Sequence, residues 1–181
     1  MTKDLFFDTD CLSAFLWINN TSILEILYPN RIILPEPVYT ELSNPRIPQL
    51  KRRVDVLIET NMASVKEIIT DTDEYSLYRT LIDGSHGKRG IGRGEAASIA
   101  LAKTYNGILA SNNYSDVAIY IKEYGLQHID TGKILLEALR QSIITESEGN
   151  VIWQNMLDRR RKLPAVDFTT YLSEYRKSNN D

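Results

Sequence analysis

The sequence predicts an α/β fold in which helices cover a central parallel sheet. Short apolar runs of strand length alternate four or five times with longer segments of helical periodicity, and this alternation is typical of parallel sheets. The composition agrees, because a chain of 181 residues with 43% hydrophobic and 25% charged side chains suits one compact domain with a sizeable core. The expected architecture is therefore an α/β/α sandwich.

Apolar runs bounded by polar or turn residues predict the strands, and apolar periodicity with capping residues and prolines predicts the helices. The strands are expected at Leu5–Phe7, Arg31–Leu34, Ala63–Ile68, Ile108–Ala110 and Leu126–Ile129. The helices are expected at Cys11–Trp17, Ser22–Tyr28, Val38–Leu42, Pro48–Glu59, about 72–82, about 95–105, Ser115–Tyr124 and about 131–142. Asp10 and Thr131 are the predicted N-caps of the first and the last of these helices.

The remainder of the chain, from Ile143, has no strand signal. Thr145 and Glu148 have the spacing of a capping box, which predicts a helix to about Lys162. An amphipathic helix is expected after Pro164, at Phe168–Arg176. We therefore expect residues 1–142 to form the α/β domain and residues 143–181 to form a helical extension packed on it.

Composition also narrows the class of protein. The formal net charge of −3 provides no overall basic field for nucleic acid, although a local basic rim could serve. Cys11 is the only cysteine, so a disulfide framework is excluded and a reducing compartment is expected. No apolar run reaches the roughly 20 residues that span a bilayer, and the amino terminus lacks signal-peptide character. These features predict a cytoplasmic protein without a membrane segment.

Acidic residues recur where the predicted strands meet helices, which is where parallel sheets bind ligands. They are Asp8 and Asp10 after the first strand, Glu41 on the helix after the second, Glu95 behind the loop Gly90–Gly94, and Asp116 after Ile108–Ala110. Carboxylates gathered at one edge repel each other unless cations neutralise them. Oxygen ligands without neighbouring histidine or cysteine favour Mg²⁺ or Mn²⁺ over zinc. The pattern therefore predicts metal-assisted phosphodiester hydrolysis.

Four motifs in the same order resemble those of the PIN-domain nucleases, particularly the VapC-like toxins of toxin–antitoxin pairs. The motifs are Phe7-Asp8-Thr9-Asp10, Val38-Tyr39-Thr40-Glu41-Leu42, Gly92-Arg93-Gly94-Glu95-Ala96-Ala97 and Ile108-Leu109-Ala110-Ser111-Asn112-Asn113. The resemblance implies a PIN-like sandwich, a Mg²⁺- or Mn²⁺-dependent endoribonuclease acting on RNA, and an antitoxin protein or a second copy of the chain as possible partners.

The resemblance also implies site residues. The metal-binding acids of the family fall on Asp8, Glu41 and Glu95, whereas a fourth acid is replaced by Asn113, which can ligate only through its carbonyl oxygen. Asp116, one helical turn later, is the alternative fourth ligand, and Asp10 is both a candidate helix cap and a candidate ligand.

Basic residues near Glu95 are candidates for contacting phosphate. Lys88, Arg89 and Arg93 flank it and are expected to bind the nucleic acid backbone. Arg159–Lys162 is interpreted as a solvated helix end, with a phosphate-contacting patch as the alternative. His86 and His128 have no partner at ligand spacing and are expected to be structural or exposed.

Two other functions compete with the nuclease. Because Asn113 replaces an acid, the chain could be a metal-poor PIN-like module that binds RNA or protein without cleaving. Phe6-Phe7-Asp8-Thr9-Asp10 also resembles the first motif of haloacid-dehalogenase-type phosphatases. That chemistry needs a downstream Gly-Asp-x-x-x-Asp motif, and none of Gly125, Gly132 and Gly149 is followed by aspartate, so the phosphatase is the weakest of the three.

Overall fold

The computed structural model of the chain describes residues 2–84 and 89–178. The strands are β1 (Leu5–Phe7), β2 (Ile32–Pro35), β3 (Ala63–Lys66), β4 (Ile108–Ala110) and β5 (Gln127–Ile129). The helices are α1 (Thr9–Trp17), α2 (Ser22–Leu27), α3 (Glu36–Leu42), α4 (Pro48–Glu59), α5 (Asp73–Asp83), α6 (Arg93–Thr104), α7 (Tyr114–Tyr124), α8 (Thr131–Arg140), α9 (Glu146–Asp158) and α10 (Phe168–Ser178). The predicted alternation of strands and helices is confirmed.

The five strands form one parallel sheet in the order β3-β2-β1-β4-β5. Phe7 of β1 lies opposite Ala110 of β4, and the backbone N–H of Asp8 donates to the Ala110 carbonyl at 2.9 Å. The strand order reverses between β1 and β4, so the connections that leave these two strands diverge and open a crevice at their carboxyl ends. The crevice lies between Asp8 and the segment that follows Ala110.

Successive side chains of each strand enter two different cores, because neighbouring side chains of a strand point to opposite faces. Leu5 and Phe7 belong to the core formed with α1–α4 and α8–α10. Phe6 belongs to the core formed with α5, α6 and α7. Helices therefore cover both faces of the sheet, which confirms the α/β/α sandwich.

Helices α9 and α10 share the first of these cores. Trp153 is fully buried, and its indole N–H donates to the Ala165 carbonyl at 3.1 Å. Phe168 and Tyr171 pack against Trp153, with ring centroids 5.8 and 5.5 Å from its own. The boundary between residues 142 and 143 remains a prediction, although the predicted capping box of Thr145 and Glu148 is present.

Three expectations about helix ends are wrong. Asp8, not Asp10, caps α1, since its carboxylate accepts from the Cys11 backbone N–H at 2.7 Å. Asp130, not Thr131, caps α8. Helix α9 ends at Asp158 rather than near Lys162, because Arg160 adopts a left-handed backbone with φ 57° and closes the helix.

Across the described ranges, no helix combines the length and the apolar character that a membrane crossing requires.

Candidate functional site

An acidic cleft of about 160 Å³ lies at the carboxyl end of β1 and is lined by Asp8, Thr9, Asp10, Glu41, Gly92, Gly94 and Glu95. Four of the five predicted acids are therefore together. Three helices supply these acids. Asp8 and Asp10 flank the start of α1, Glu41 lies in the last turn of α3, and Glu95 lies in the first turn of α6. We call this space the acidic cleft.

Asp8 is the most deeply placed of these acids, with 1% of its surface exposed. Its Oδ1 accepts from the Cys11 backbone N–H, whereas its buried Oδ2 has no hydrogen-bond partner in the described part of the chain. Burial raises the pKa of the Asp8 carboxyl to about 7, and the carboxylates of Asp10 and Glu95 raise it further. The Cys11 N–H and the nearby Ser111 hydroxyl lower it, although Ser111 lies outside hydrogen-bond geometry and leaves Oδ2 without a partner in the described ranges. The buried carboxyl thus lacks a compensating positive charge.

Glu41 is held by two donors from other elements. The Thr9 hydroxyl donates to Glu41 Oε2, and the Gly94 backbone N–H donates to Oε1 at 3.3 Å. Gly94 must be a glycine for this arrangement, because a Cβ there would lie 2.8 Å from the Thr9 Oγ1 and 3.1 Å from Glu41 Oε2. The start of α6 therefore approaches α3 closely enough to fix the Glu41 carboxylate.

Glu95 forms a capping box and also faces the segment after β4. Its Oε2 accepts from the Gly92 backbone N–H at 3.3 Å, and its Oε1 accepts from Asn113 Nδ2 at 2.7 Å. Burial raises the pKa of the Glu95 carboxyl, these two donors lower it, and the carboxylates of Asp116 and Asp10 raise it further. Glu95 therefore lies in the field of neighbouring acids.

Asn113 links Glu95 to Asp116. The same amide nitrogen donates to Asp116 Oδ2 at 2.7 Å, and the Asn113 carbonyl oxygen accepts from the Ser115 hydroxyl at 3.0 Å. The side chain thus directs its nitrogen, not its carbonyl oxygen, at the acids. Asp116 is exposed and lines a neighbouring groove with Arg89 instead of the acidic cleft.

The residues predicted to contact phosphate lie in different places. Arg89 lines a groove of about 460 Å³ with Gly90–Gly92 and Asp116. Arg93 is exposed at the start of α6. Lys88 and His86 lie outside the described residues. His128 is half-buried, and its Nε2 lies 2.8 Å from the Ser111 carbonyl oxygen, which agrees with a structural role.

The carboxylates of Asp8, Glu41 and Glu95 accept hydrogen bonds from protein groups. Within residues 2–84 and 89–178, no group of three or more His, Cys, Asp or Glu side chains stands in an arrangement that could hold a metal ion. None of the five acids forms an ion pair with a described lysine or arginine either. In the described part of the chain, the donors to Glu41 and Glu95 are neutral groups: Thr9, Gly92, Gly94 and Asn113.

Three contributors have little signal in the sequence. Thr9 and Gly94 position Glu41, and their only sequence signal is their place inside two motifs chosen for their acids. Buried Ser111 lowers the pKa of Asp8, and its signals are its position directly after an apolar strand and its place inside the fourth motif.

Comparison with known proteins supports the resemblance of the motifs. A search among curated proteins gave no match. The family model described as PIN domain matches residues 5–174, which is nearly the whole chain and includes every residue of the acidic cleft. The chain belongs to the PIN-domain family.

Proposed function

We propose that the chain is a Mg²⁺- or Mn²⁺-dependent ribonuclease whose metal is held in the acidic cleft by Asp8, Glu95 and a further carboxylate. Membership of the family supports this proposal, because PIN domains are a nuclease-type fold, generally depend on divalent metal ions and typically bind nucleic acid. The observation that carries it is the buried Asp8 Oδ2, which lacks a partner in the described ranges and lies beside three further acids.

The donor types present suit a hard divalent cation, although the acids of the described ranges would have to move from their present arrangement to hold one. A buried carboxylate oxygen without a donor costs free energy that a cation would recover, and the acids around Asp8 supply only oxygen ligands, as Mg²⁺ and Mn²⁺ prefer. Glu41, Asp10, Asp116 and Asn113 are the candidates for completing the set. A bound ion would supply Lewis acidity, which lowers the pKa of an attacking water and stabilises the leaving oxygen.

The side chains have separable tasks in this proposal. Asp8 is fixed by the first turn of α1, so its free oxygen has a defined position. Thr9 and Gly94 hold Glu41 in place, and Asn113 holds Glu95. Arg89 and Arg93 would contact the phosphate backbone, and Lys88 is proposed for the same task from its position in the sequence.

Metal binding has a direct structural test. Crystals soaked in Mn²⁺ should give an anomalous peak between Asp8, Glu95 and a third carboxylate, and the Asp8→Asn variant should lack it. A peak elsewhere on the surface, with none in the acidic cleft, would contradict the proposal.

One observation favours the second candidate function, a module that binds without cleaving. The Asn113 amide already bridges Glu95 and Asp116, where the charge of a cation would otherwise be useful. This candidate predicts RNA binding that neither EDTA nor Mn²⁺ changes and that is accompanied by no cleavage. The ribonuclease is preferred because Asn113 donates to Glu95 and Asp116 but not to Asp8, whose buried Oδ2 has no donor or cation beside it in the described ranges.

The toxin role, an antitoxin partner and a homodimer are part of the same proposal. An apolar groove of about 430 Å³ runs between α2 and α9, where Ile26 and Val151 are 59% and 58% exposed, and exposed apolar surface of this kind favours a protein partner. A toxin should arrest growth when expressed alone, and Asp8→Asn should abolish the arrest. Sedimentation of the purified chain tests the homodimer, which Val151→Asp should dissociate.

A further inference from the structure

A further groove, which we call the basic groove, adjoins the acidic cleft. It has a volume of about 190 Å³ and is lined by Asp10, Asn112, Asn113, Arg160, Arg161 and Lys162. Asp10 lines both spaces, and Gly92 joins the acidic cleft to the groove of Arg89 on the other side. The three spaces therefore follow one another. Arg89 lines one outer space together with Asp116, three basic residues line the other together with Asp10, and most of the acids line the middle one.

The basic side chains of this groove come from the turn after α9. The Arg160 N–H donates to the Leu157 carbonyl at 2.8 Å, and the Arg161 N–H donates to the Met156 carbonyl at 3.0 Å. This pair of bonds is the Schellman motif, in which the residue at the position of Arg160 has a left-handed backbone and is usually glycine. Arg160 has φ 57° and is exposed.

An arginine is unusual at such a position. The other non-glycine residues with positive φ in the described ranges are asparagine, aspartate or serine, whose short polar side chains are better suited to this conformation. Arg160 and Lys162 also form no ion pair within those ranges. Neither the backbone conformation nor an ion pair therefore explains why position 160 carries a long cationic side chain.

Arg161 fixes the turn against α1. Its Nη1 donates to the Ser13 hydroxyl at 3.4 Å, its Nε donates to the Arg159 carbonyl at 3.1 Å, and its guanidinium lies 5.9 Å from the centre of the Trp17 ring. These contacts hold the turn beside α1, the helix whose amino-terminal end carries Asp10 and borders the acidic cleft. The basic groove is thus positioned before any ligand arrives.

The arrangement of charge matches a single phosphodiester chain. A phosphate that approaches the acidic cleft is repelled by the carboxylates, so cations must hold the adjacent phosphates. Arginine suits this task, because its guanidinium donates two parallel hydrogen bonds to phosphate and stays charged. We propose that Arg160, Arg161 and Lys162 bind the backbone phosphate next to the scissile one in single-stranded RNA. This inference rests on the proposed ribonuclease function.

Binding in EDTA tests the inference without cleavage. Fluorescence anisotropy with short labelled single-stranded oligoribonucleotides of mixed sequence should show roughly tenfold weaker binding for Arg160→Gly at low salt. The slope of log K against log salt should fall by about 0.7 for each phosphate that the variant no longer neutralises. The melting temperature should stay equal or rise, because glycine adopts the left-handed backbone without strain. Weaker RNA binding by a chain that is no less stable is the signature of a ligand contact.

Two matched controls separate charge from backbone. Arg52→Gln removes an exposed cation that lines a different groove, and Asn30→Gly relaxes another left-handed residue, with φ 57°; both should bind RNA as the wild type does. Lys162→Gln should weaken binding as Arg160→Gly does. The inference is overturned if Arg160→Gly and Lys162→Gln keep the wild-type affinity and salt slope, or if the wild type binds no oligoribonucleotide.

The two proposals can fail separately. RNA that binds through Arg160 but is not cleaved in Mn²⁺ would contradict the ribonuclease and leave the phosphate contact standing. RNA that is cleaved, with kcat/KM and affinity unchanged in Arg160→Gly, would contradict the phosphate contact and leave the ribonuclease standing.

Discussion

The Asn113 amide nitrogen lies 2.7 Å from Glu95 Oε1 and donates a hydrogen bond to it, and the same nitrogen lies 2.7 Å from Asp116 Oδ2. An NH₂ group has two donors, so one neutral side chain keeps two carboxylates in place. Asn113 therefore does more than replace an acid, because it orients Glu95, one of the acids that line the acidic cleft.

Replacing Asn113 by aspartate should strengthen metal binding. The variant loses the donor between Glu95 and Asp116 and adds a third negative charge, so in EDTA its melting temperature should fall through repulsion. Saturating Mn²⁺ should raise that melting temperature by more than it raises the wild type's, because a ligand that binds only the folded state stabilises it by mass action. Calorimetry with Mn²⁺ measures the affinity. Equal Mn²⁺ affinities in the variant and the wild type would show that position 113 has no part in the metal site.

The Asp8 carboxyl should make metal-free stability depend on pH. Its ordinary pKa is 3.8, and the folded chain raises it to about 7, so the folded state holds a proton that the unfolded state releases between these values. Stability should therefore fall as pH rises from about 4 to about 7 and then level off. Asp8→Asn removes this cost, so in EDTA the variant should exceed the wild type by up to about 4 kcal/mol at pH 8 and match it near pH 4.

Urea denaturation of both proteins across this pH range measures the difference. A gap between the two proteins that does not change with pH would mean that Asp8 is not buried in the way described. Adding Mn²⁺ at pH 8 should narrow or reverse the gap, because only the wild type has the carboxylate that would bind the ion.

The Thr9 hydroxyl should be needed to position Glu41. Thr9→Val removes the donor to Glu41 while keeping the side-chain shape, and it should lower kcat/KM by roughly fivefold to thirtyfold. Thr9→Ser keeps the hydroxyl and is the matched control, with activity close to that of the wild type. If the valine and serine variants have the same kcat/KM, the contact between Thr9 and Glu41 contributes nothing to function.

Helices α9 and α10 should be required for cooperative folding. Trp153 is fully buried in the core that also contains Leu5 and Phe7, so Trp153→Ala should cost about 3 to 5 kcal/mol. A chain that stops at Ser142 should lose its sharp thermal transition, because it uncovers that core. A truncated chain that melts like the full one would instead make residues 143–181 an independent extension.

The sheet and the four acids of the cleft can be located from the sequence because their signals are local. Leu5–Phe7 and Ile108–Ala110 are apolar runs with sharp polar ends, and the parallel order then brings Asp8 near Glu95. Prediction fails where two neighbouring residues carry equivalent signals. Asp8 and Asp10 are both good helix caps, and only tertiary burial decides that Asp8 caps α1.

Two features of the site are absent from any local pattern. Arg160 ends α9 in a conformation that normally calls for glycine, so the sequence predicts a longer helix whose basic residues form a solvated end. The direction of the Asn113 amide depends on Glu95, which comes from a different helix, as well as on Asp116 three residues later. Such contacts follow from the assembled fold.

Cleavage of mixed-sequence RNA in Mn²⁺, compared for the wild type, Asp8→Asn and Glu95→Gln, tests the central claim most directly. The wild type should cleave, EDTA should stop it, and each variant should lose on the order of a hundredfold in kcat/KM. Asp8→Asn should be at least as stable as the metal-free wild type at the pH of the assay, so its lower activity would not reflect unfolding. Equal inactivity of all three proteins on every RNA tried, or cleavage that persists in EDTA, would contradict the account.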